Sequence, residues 1–325
     1  MKQKFLVAVS ILLMVVAHVA GQSNNASISS NSFKVIPLGV KGGLDESNLS
    51  AYLVAASGSA QFICLDAGTI YKGLELAAAK KLFKPSNPSL IQQNNINSYF
   101  ISHAHLDHTA GLIMNSPNDN AKNLYGLASV LDVFKKNYFT WSAWANFGTE
   151  GEAPILKKYS YQTLTPKLEI PIDNTGLFVT PFVLSHVKPY ESTAFLVRNQ
   201  DAYLLYLGDT GSDKIEQSDQ LAQLWQTIAP LVIQNQLKAI FIEVSFDNSV
   251  SEKALFGHLT PKLLMEEMEK LNLLSNGQLK NTPLYVTHIK PCDGCEIKIK
   301  AEIQAANQIG LKIFYPTQAT LIELK

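Results

Sequence analysis

Cysteine is scarce in this chain, with 3 in 325 residues, too few for the disulfide framework of a small secreted domain. Cys292 and Cys295 form a C-x-x-C. No thioredoxin-like βαβ pattern surrounds them, and two thiolates cannot complete a four-ligand zinc site. A small disulfide loop is open to them in an exported protein, without the sequence deciding it, while Cys64, inside an apolar strand pattern, is expected to be buried. Charge of one sign is also lacking: Lys+Arg and Asp+Glu number 27 each. That balance excludes long nucleic acid as the natural partner, because polyanions are held by clustered Lys and Arg. A single small phosphate remains open, since metal ions could supply the positive charge.

Long apolar runs are missing except at the start, in "FLVAVSILLMVVA" (Phe5 to Ala17). Lys2 and Lys4 precede it and the small residues "HVAG" follow. This is the form of a secretory signal, too short to span a bilayer comfortably. Residues 1–21 are therefore expected to be a signal peptide, 22–32 a flexible leader and 33–325 a single domain. The protein would be exported to a periplasm or the external medium, with no membrane anchor after signal removal.

What is present is a run of short apolar strands: 33–40, 51–57, 61–68 and 96–102, then 177–186, 192–199, 202–209 and 239–246. Helical patterns occupy 73–83, 218–229, 261–274 and 296–309, with "PLYVTHI" as a strand between the last two. The segment "KPSNPSLIQQNN" reads as a polar loop. Strands broken by helices predict an α/β fold of mixed sheets with helices packed outside.

Reactive side chains stand where the strands stop: His103 and His105, His186, Asp209 and His288. In "SHAHLDHTAGLIMNSP" (Ser102 to Pro117), His103 and His105 are two apart, so an extended backbone projects them to one side. Asp107 and His108 fall where a helix should start, facing a second position, and Gly111 would let that helix pack closely against a sheet. One short loop can thus offer two ligands to each of two metals, and imidazole with carboxylate suits zinc best. Two such ions activate water and clamp the attacked group, which predicts hydrolysis.

"HAHLDH", followed by His186, Asp209 and His288 in order, resembles the metallo-β-lactamase superfamily. The resemblance implies an αβ/βα sandwich with a binuclear site. His103, His105 and His186 would hold one metal, Asp107, His108 and His288 the other, and Asp209 would bridge them. The longer "HAHLDHTAGLIMNSP" resembles the signature of class II cyclic-nucleotide phosphodiesterases. "ESTAFLV", "LGDTGSD", "IEVSFDN", "LFGHLTP" and "VTHIKP" resemble that family in the expected order, whereas Thr109 and the C-x-x-C depart from it. The implied substrate is a small cyclic nucleotide, opened to a nucleoside 5′-monophosphate by hydroxide held between two metals. Lactonases and thioesterases share the scaffold, and a secreted metal-binding protein without turnover is the non-enzymatic alternative.

His258, just before the helix at Pro261, competes with His288 for the last ligand position. It is read as proton donor to the leaving oxygen, held by Glu243, an arrangement resembling that of metal-dependent phosphodiesterases that process tRNA ends. Asp107 is counted with these two as catalytic. The aromatic stretch "NYFTWSAWANF" offers Trp141 and Trp144 either as a purine-stacking wall or as packing and a subunit contact, which leaves a homodimer open. With Thr193 of "ESTAFLV", they are the candidate substrate contacts.

Overall fold

A computed structural model describes residues 32–325. The expected signal peptide and most of the leader lie outside the described residues. Ser32, assigned above to the flexible leader, is buried, and its carbonyl accepts from Ser57 N and Asn199 Nδ2.

The chain runs β1 (Phe33–Gly39), β2 (Ala51–Ala56), β3 (Phe62–Leu65), α1 (Tyr71–Ala79), α2 (Pro88–Asn95), β4 (Ile96–Phe100) and α3 (Leu106–Asn115). It continues with β5 (Lys122–Gly126), α4 (Ala128–Val133), β6 (Tyr159–Thr163), β7 (Ile170–Ile172), β8 (Leu177–Ser185), β9 (Glu191–Asn199) and β10 (Ala202–Leu207). The last part comprises α5 (Asp213–Glu216), α6 (Gln220–Ile233), β11 (Leu237–Glu243), α7 (Pro261–Leu274), β12 (Leu284–Thr287), α8 (Cys295–Ala306), β13 (Ile313–Phe314) and β14 (Ile322–Leu324).

Two seven-stranded sheets result, ordered β14-β1-β2-β3-β4-β5-β6 and β13-β12-β11-β10-β9-β8-β7. Both mix parallel and antiparallel pairs, as expected. Period-two alternation assigns the faces. Phe195, Val197, Leu204, Tyr206, Ala239 and Phe241 enter the core shared with the first sheet. Their neighbours Leu196, Leu205, Leu207, Ile240 and Ile242 pack with Leu224, Trp225 and Ile228 of α6 and Leu264 and Met268 of α7. Tyr52 meets Tyr206 and Phe241 across the seam at centroid distances of 5.3 and 5.7 Å. This is the predicted αβ/βα sandwich.

One expectation fails locally. The segment expected as a polar loop folds from Pro88 onward as α2, because Asn87 caps it, accepting from Leu90 N, and Pro88 occupies the first turn. Cys292 and Cys295, whose pairing the sequence left open, form a disulfide, and Cys64 is buried as expected. No helix among the described residues is long and apolar enough to cross a membrane.

Candidate metal centre and active site

The ends of six strands converge at one edge of the seam. β3 leads to Asp66, β4 to Ser102 and His103, β8 to His186, β10 to Asp209, β11 to Glu243 and Ser245, and β12 to His288. Between His103 and α3 the backbone stays extended, and His105 takes the N-cap position with φ −67° and ψ 152°. Asp107 and His108 then lie in the first turn. A Cβ on Gly111 would come within 2.9 Å of three backbone atoms of Ala67, Gly68 and Ile70, so only glycine lets α3 sit this close to the loop after β3.

Four groups of close donors form among the described residues, two of which include His258 (with His186 and Asp209, and with Glu243 and His288); the other two hold the expected ligands. One atom each of His103, His105 and His186 lies within 4.8 Å of the others, and the same holds for Asp107, His108, Asp209 and His288. Asp209 faces both groups: Oδ1 is 3.3 Å from Nε2 of His108 and of His288. Its Oδ2 lies 3.7 Å from His103 Nε2 and 4.0 Å from His186 Nε2. These positions match the two ligand sets implied by the sequence resemblance, with Asp209 between them.

The hydrogen bonds behind the cluster fix how its imidazoles point. His108 Nδ1 donates to Asp66 Oδ2 at 2.8 Å and His186 Nδ1 to Gly257 O at 2.8 Å. Ser102 Oγ gives its proton to Asp66 (2.8 Å), so it accepts from His103 Nδ1 at 3.1 Å. Ser245 Oγ likewise donates to Glu243 Oε2 (2.9 Å) and accepts from His288 Nδ1 at 2.9 Å. Four histidines thus spend Nδ1–H outward, which assigns the tautomer and turns four Nε2 lone pairs inward. His108 Nε2 and His288 Nε2 are 3.2 Å apart, within hydrogen-bond distance when His108 carries a second proton. Burial disfavours a charged His108, yet the carboxylates of Asp209, Asp66 and Asp107 outweigh it and raise its pKa well above the usual value. The site demands positive charge. A buried His/Asp cluster with these outer partners is compatible with metal binding.

Sequence reasoning missed Asp66, Ser102 and Ser245. Asp66 ends its strand as the expected ligands end theirs, so the strand-end signal was present in "ICLDAG". Nothing about a lone serine marked the other two.

His258 stands beside the cluster. Its Nδ1 donates to Glu243 Oε1 at 2.8 Å, and the same nitrogen lies 3.7 Å from Asp209 Oδ2. The Glu243 bond occupies that nitrogen, and Nε2 meets Lys290 Nζ at 3.0 Å. Burial and then the Asp209 carboxylate push Glu243 up to about 7, while burial pulls His258 down to about 4. Burial thus works against charge on both members of the pair.

A cavity of about 530 Å³ opens beside His103 and His105, lined also by Ser129, Asn137, Tyr138 and Tyr190. Trp141 and Trp144 do not line it, so of the two readings open for them the cavity lends the stacking wall no support. Their indoles are turned away, donating to Pro154 O at 2.9 Å and Ser116 Oγ at 3.1 Å. Thr193 is fully buried and gives its hydroxyl to Ser102 O at 2.8 Å, so it supports the strand behind the cluster and reaches no substrate.

Residues 31–296 match the family model of class-II cAMP phosphodiesterases. The 3′,5′-cyclic-nucleotide phosphodiesterase of Aliivibrio fischeri is 39% identical over 312 residues, covering 91% of this chain and 94% of the relative. Among solved structures, unliganded yeast PDE1 superposes with a TM-score of 0.79 at 22% identity, over 90% of this chain and 99% of that one. The metallo-beta-lactamase fold protein YhfI of Bacillus subtilis gives 0.62 at 14% identity, over the same shares. These likenesses establish the metallo-β-lactamase fold, and the match over most of its length makes this chain a member of the class-II cAMP phosphodiesterase family.

Proposed function

We propose that this protein is an exported, metal-dependent phosphodiesterase that opens a 3′,5′-cyclic nucleotide, cyclic AMP or cyclic GMP, to the nucleoside 5′-monophosphate. The observation that carries the reading is the double donor set around Asp209, with the Glu243–His258 pair at its side. His103, His105 and His186 would hold one divalent ion and Asp107, His108 and His288 a second, with Asp209 shared; zinc suits these donors best. Such ions supply a water ionised near neutral pH and neutralise the charge that builds on phosphorus.

The chain's own residues do the rest. Gly43 N donates to Asp107 Oδ2 at 2.9 Å and keeps that carboxylate aimed inward. His258, once Nε2 has taken up a proton in place of the Lys290 contact, would pass it to the departing 3′ oxygen, while Glu243 on Nδ1 stabilises the charged ring. The cavity beside His103 accepts the nucleoside, and the rings of Tyr138 and Tyr190 take the stacking role left open for the tryptophans. Export rests on the N-terminal signal pattern.

The test is incubation of purified, zinc-loaded protein with cyclic AMP, a non-cyclic phosphodiester, a lactone and a thioester, each with and without chelator. Chelator-sensitive release of AMP is expected. Absence of cyclic AMP hydrolysis with metals loaded would refute the reading, and turnover of the lactone or thioester instead would move the chain to those chemistries.

A further inference from the structure

The lysine against His258 has no part in the chemistry described so far. After β12, His288 adopts a left-handed backbone with φ 58°, and the chain turns back over the end of β11. There Lys290 N donates to Ser245 O at 3.3 Å. The Lys290 side chain crosses the Phe246 ring, with Nζ 4.9 Å from its centroid, and ends 3.0 Å from His258 Nε2. The ammonium is therefore held in place by an aromatic face and an imidazole, a cation–π contact and a hydrogen bond.

Like Lys34 and Lys158, Lys290 lies over an aromatic ring, but its other partner is an imidazole. Lys122 pairs with Asp119 at 2.6 Å, Lys270 with Glu267 at 2.7 Å and Lys298 with Asp247 at 2.7 Å. Lys41 and Lys188, which also flank site segments, are engaged with Glu296 at 3.8 Å and with Gln217 O at 2.9 Å. Lys290 has no carboxylate within ion-pair distance among the described residues. A held, partly buried ammonium without a counter-ion, in contact with the proposed proton donor of a site for an anionic substrate, is a place for a substrate oxygen. Geometry narrows which one. Nζ and His258 Nε2 are 3.0 Å apart, so while the 3′ oxygen meets Nε2 a neighbouring oxygen on the same phosphorus can meet Nζ.

We propose that Lys290 is a phosphate-binding residue: its Nζ donates to an oxygen of the cyclic phosphodiester and, after ring opening, to the 5′-phosphate of the product. The proposal rests on the phosphodiesterase reading and adds a source of affinity for phosphate that belongs to the side chain. Lysine suits the task because a single ammonium can follow the phosphorus group as its oxygens rearrange, with no fixed bidentate fork to satisfy.

The experiment measures binding, so turnover is not needed. Zinc-loaded wild type, Lys290→Ala, Lys290→Gln and Lys290→Arg are titrated calorimetrically with AMP, inorganic phosphate and adenosine, and their bound metal is quantified. The alanine and glutamine variants should bind AMP and phosphate roughly tenfold or more weakly, with adenosine changed by less than about twofold, as expected for loss of one charge-assisted hydrogen bond. Metal content should stay unchanged and arginine should restore most of the phosphate affinity. Equal weakening of AMP and adenosine, unchanged AMP binding, or loss of metal in Lys290→Ala overturns the assignment. A wild type that binds phosphate through Lys290 yet leaves cyclic AMP intact would sink the phosphodiesterase reading alone.

Discussion

Asp66 concentrates more of the site's order than any ligand does. One carboxylate accepts from Ser102 N at 2.7 Å, Ser102 Oγ at 2.8 Å, His108 Nδ1 at 2.8 Å and Tyr206 OH at 2.7 Å. Through Ser102 and His108 it orients an imidazole in each donor group. Asp66→Asn replaces an acceptor oxygen with a donor and should lower metal affinity about 10–100-fold, read by competition with a chromophoric chelator; an unchanged affinity would make Asp66 a packing residue only. His258→Ala should cut kcat by about 10²–10⁴ while both metals stay bound. If bound metal falls with activity, His258 is a ligand and the proton-donor role is wrong. The histidines also set a pH dependence for the metal-free protein. Burial brings His186 and His258 down to about 4 from a usual 6.5. Between those values the unfolded chain binds protons that the folded chain refuses, so stability should fall as pH drops from 6.5 toward 4. Glu243, raised to about 7, works the other way: its folded form keeps a proton the unfolded chain has lost, which costs stability as pH rises from 4.5 to 7. Urea titrations of metal-free Glu243→Gln should therefore show a steeper gain of stability with pH across 4.5–6.5 than wild type. An equal slope would mean that Glu243 does not titrate there.

The ordered elements differ in how they are specified, and so in how far they could be read from sequence. β10 and β11 were legible because their alternate residues face different layers and both layers are apolar, which leaves continuous apolar runs such as "AYLLYL". α2 was not legible. Only Ile91 and Gln92 of its residues are buried, so it carries no apolar stripe, and its start is written in Asn87 and Pro88. That makes the cap its main local determinant: Asn87→Ala should cost about 1 kcal/mol by thermal or urea unfolding, and no measurable loss would show that tertiary contacts alone hold the helix. The short strands β7, β13 and β14 were missed because two or three residues cannot show a period. At the site, the histidines and Asp209 were legible as polar punctuation at the ends of apolar strands. The tryptophans stayed undecided for the opposite reason: an aromatic run advertises surface to stack on but says nothing about which way each ring turns. In the fold, only Asn137 and Tyr138 of that run line the cavity.

Across the whole molecule, the ligands are divided between the two sheets. His103, His105, Asp107 and His108 follow β4 of the first, while His186, Asp209 and His288 follow β8, β10 and β12 of the second. Under the proposed metal assignment each ion would join one sheet to the other, and thermal stability should track free metal. A concentration 100 times the dissociation constant would add about 2.7 kcal/mol, lost on chelation; a melting temperature indifferent to zinc and chelator would contradict the shared ligation. The balance of 27 basic and 27 acidic residues leaves no strong field to draw in a polyanion, consistent with a small substrate held by the site itself. The division of ligands also bears on when the site can exist. His103 arrives early in the chain and His288 near its end, so neither donor group is whole until both sheets have closed on each other. An enzyme threaded unfolded across a membrane, as the export proposal requires, would have no formed site to carry cargo in. Its metals would be recruited at the destination, and the supply of zinc there would limit how much secreted chain becomes competent.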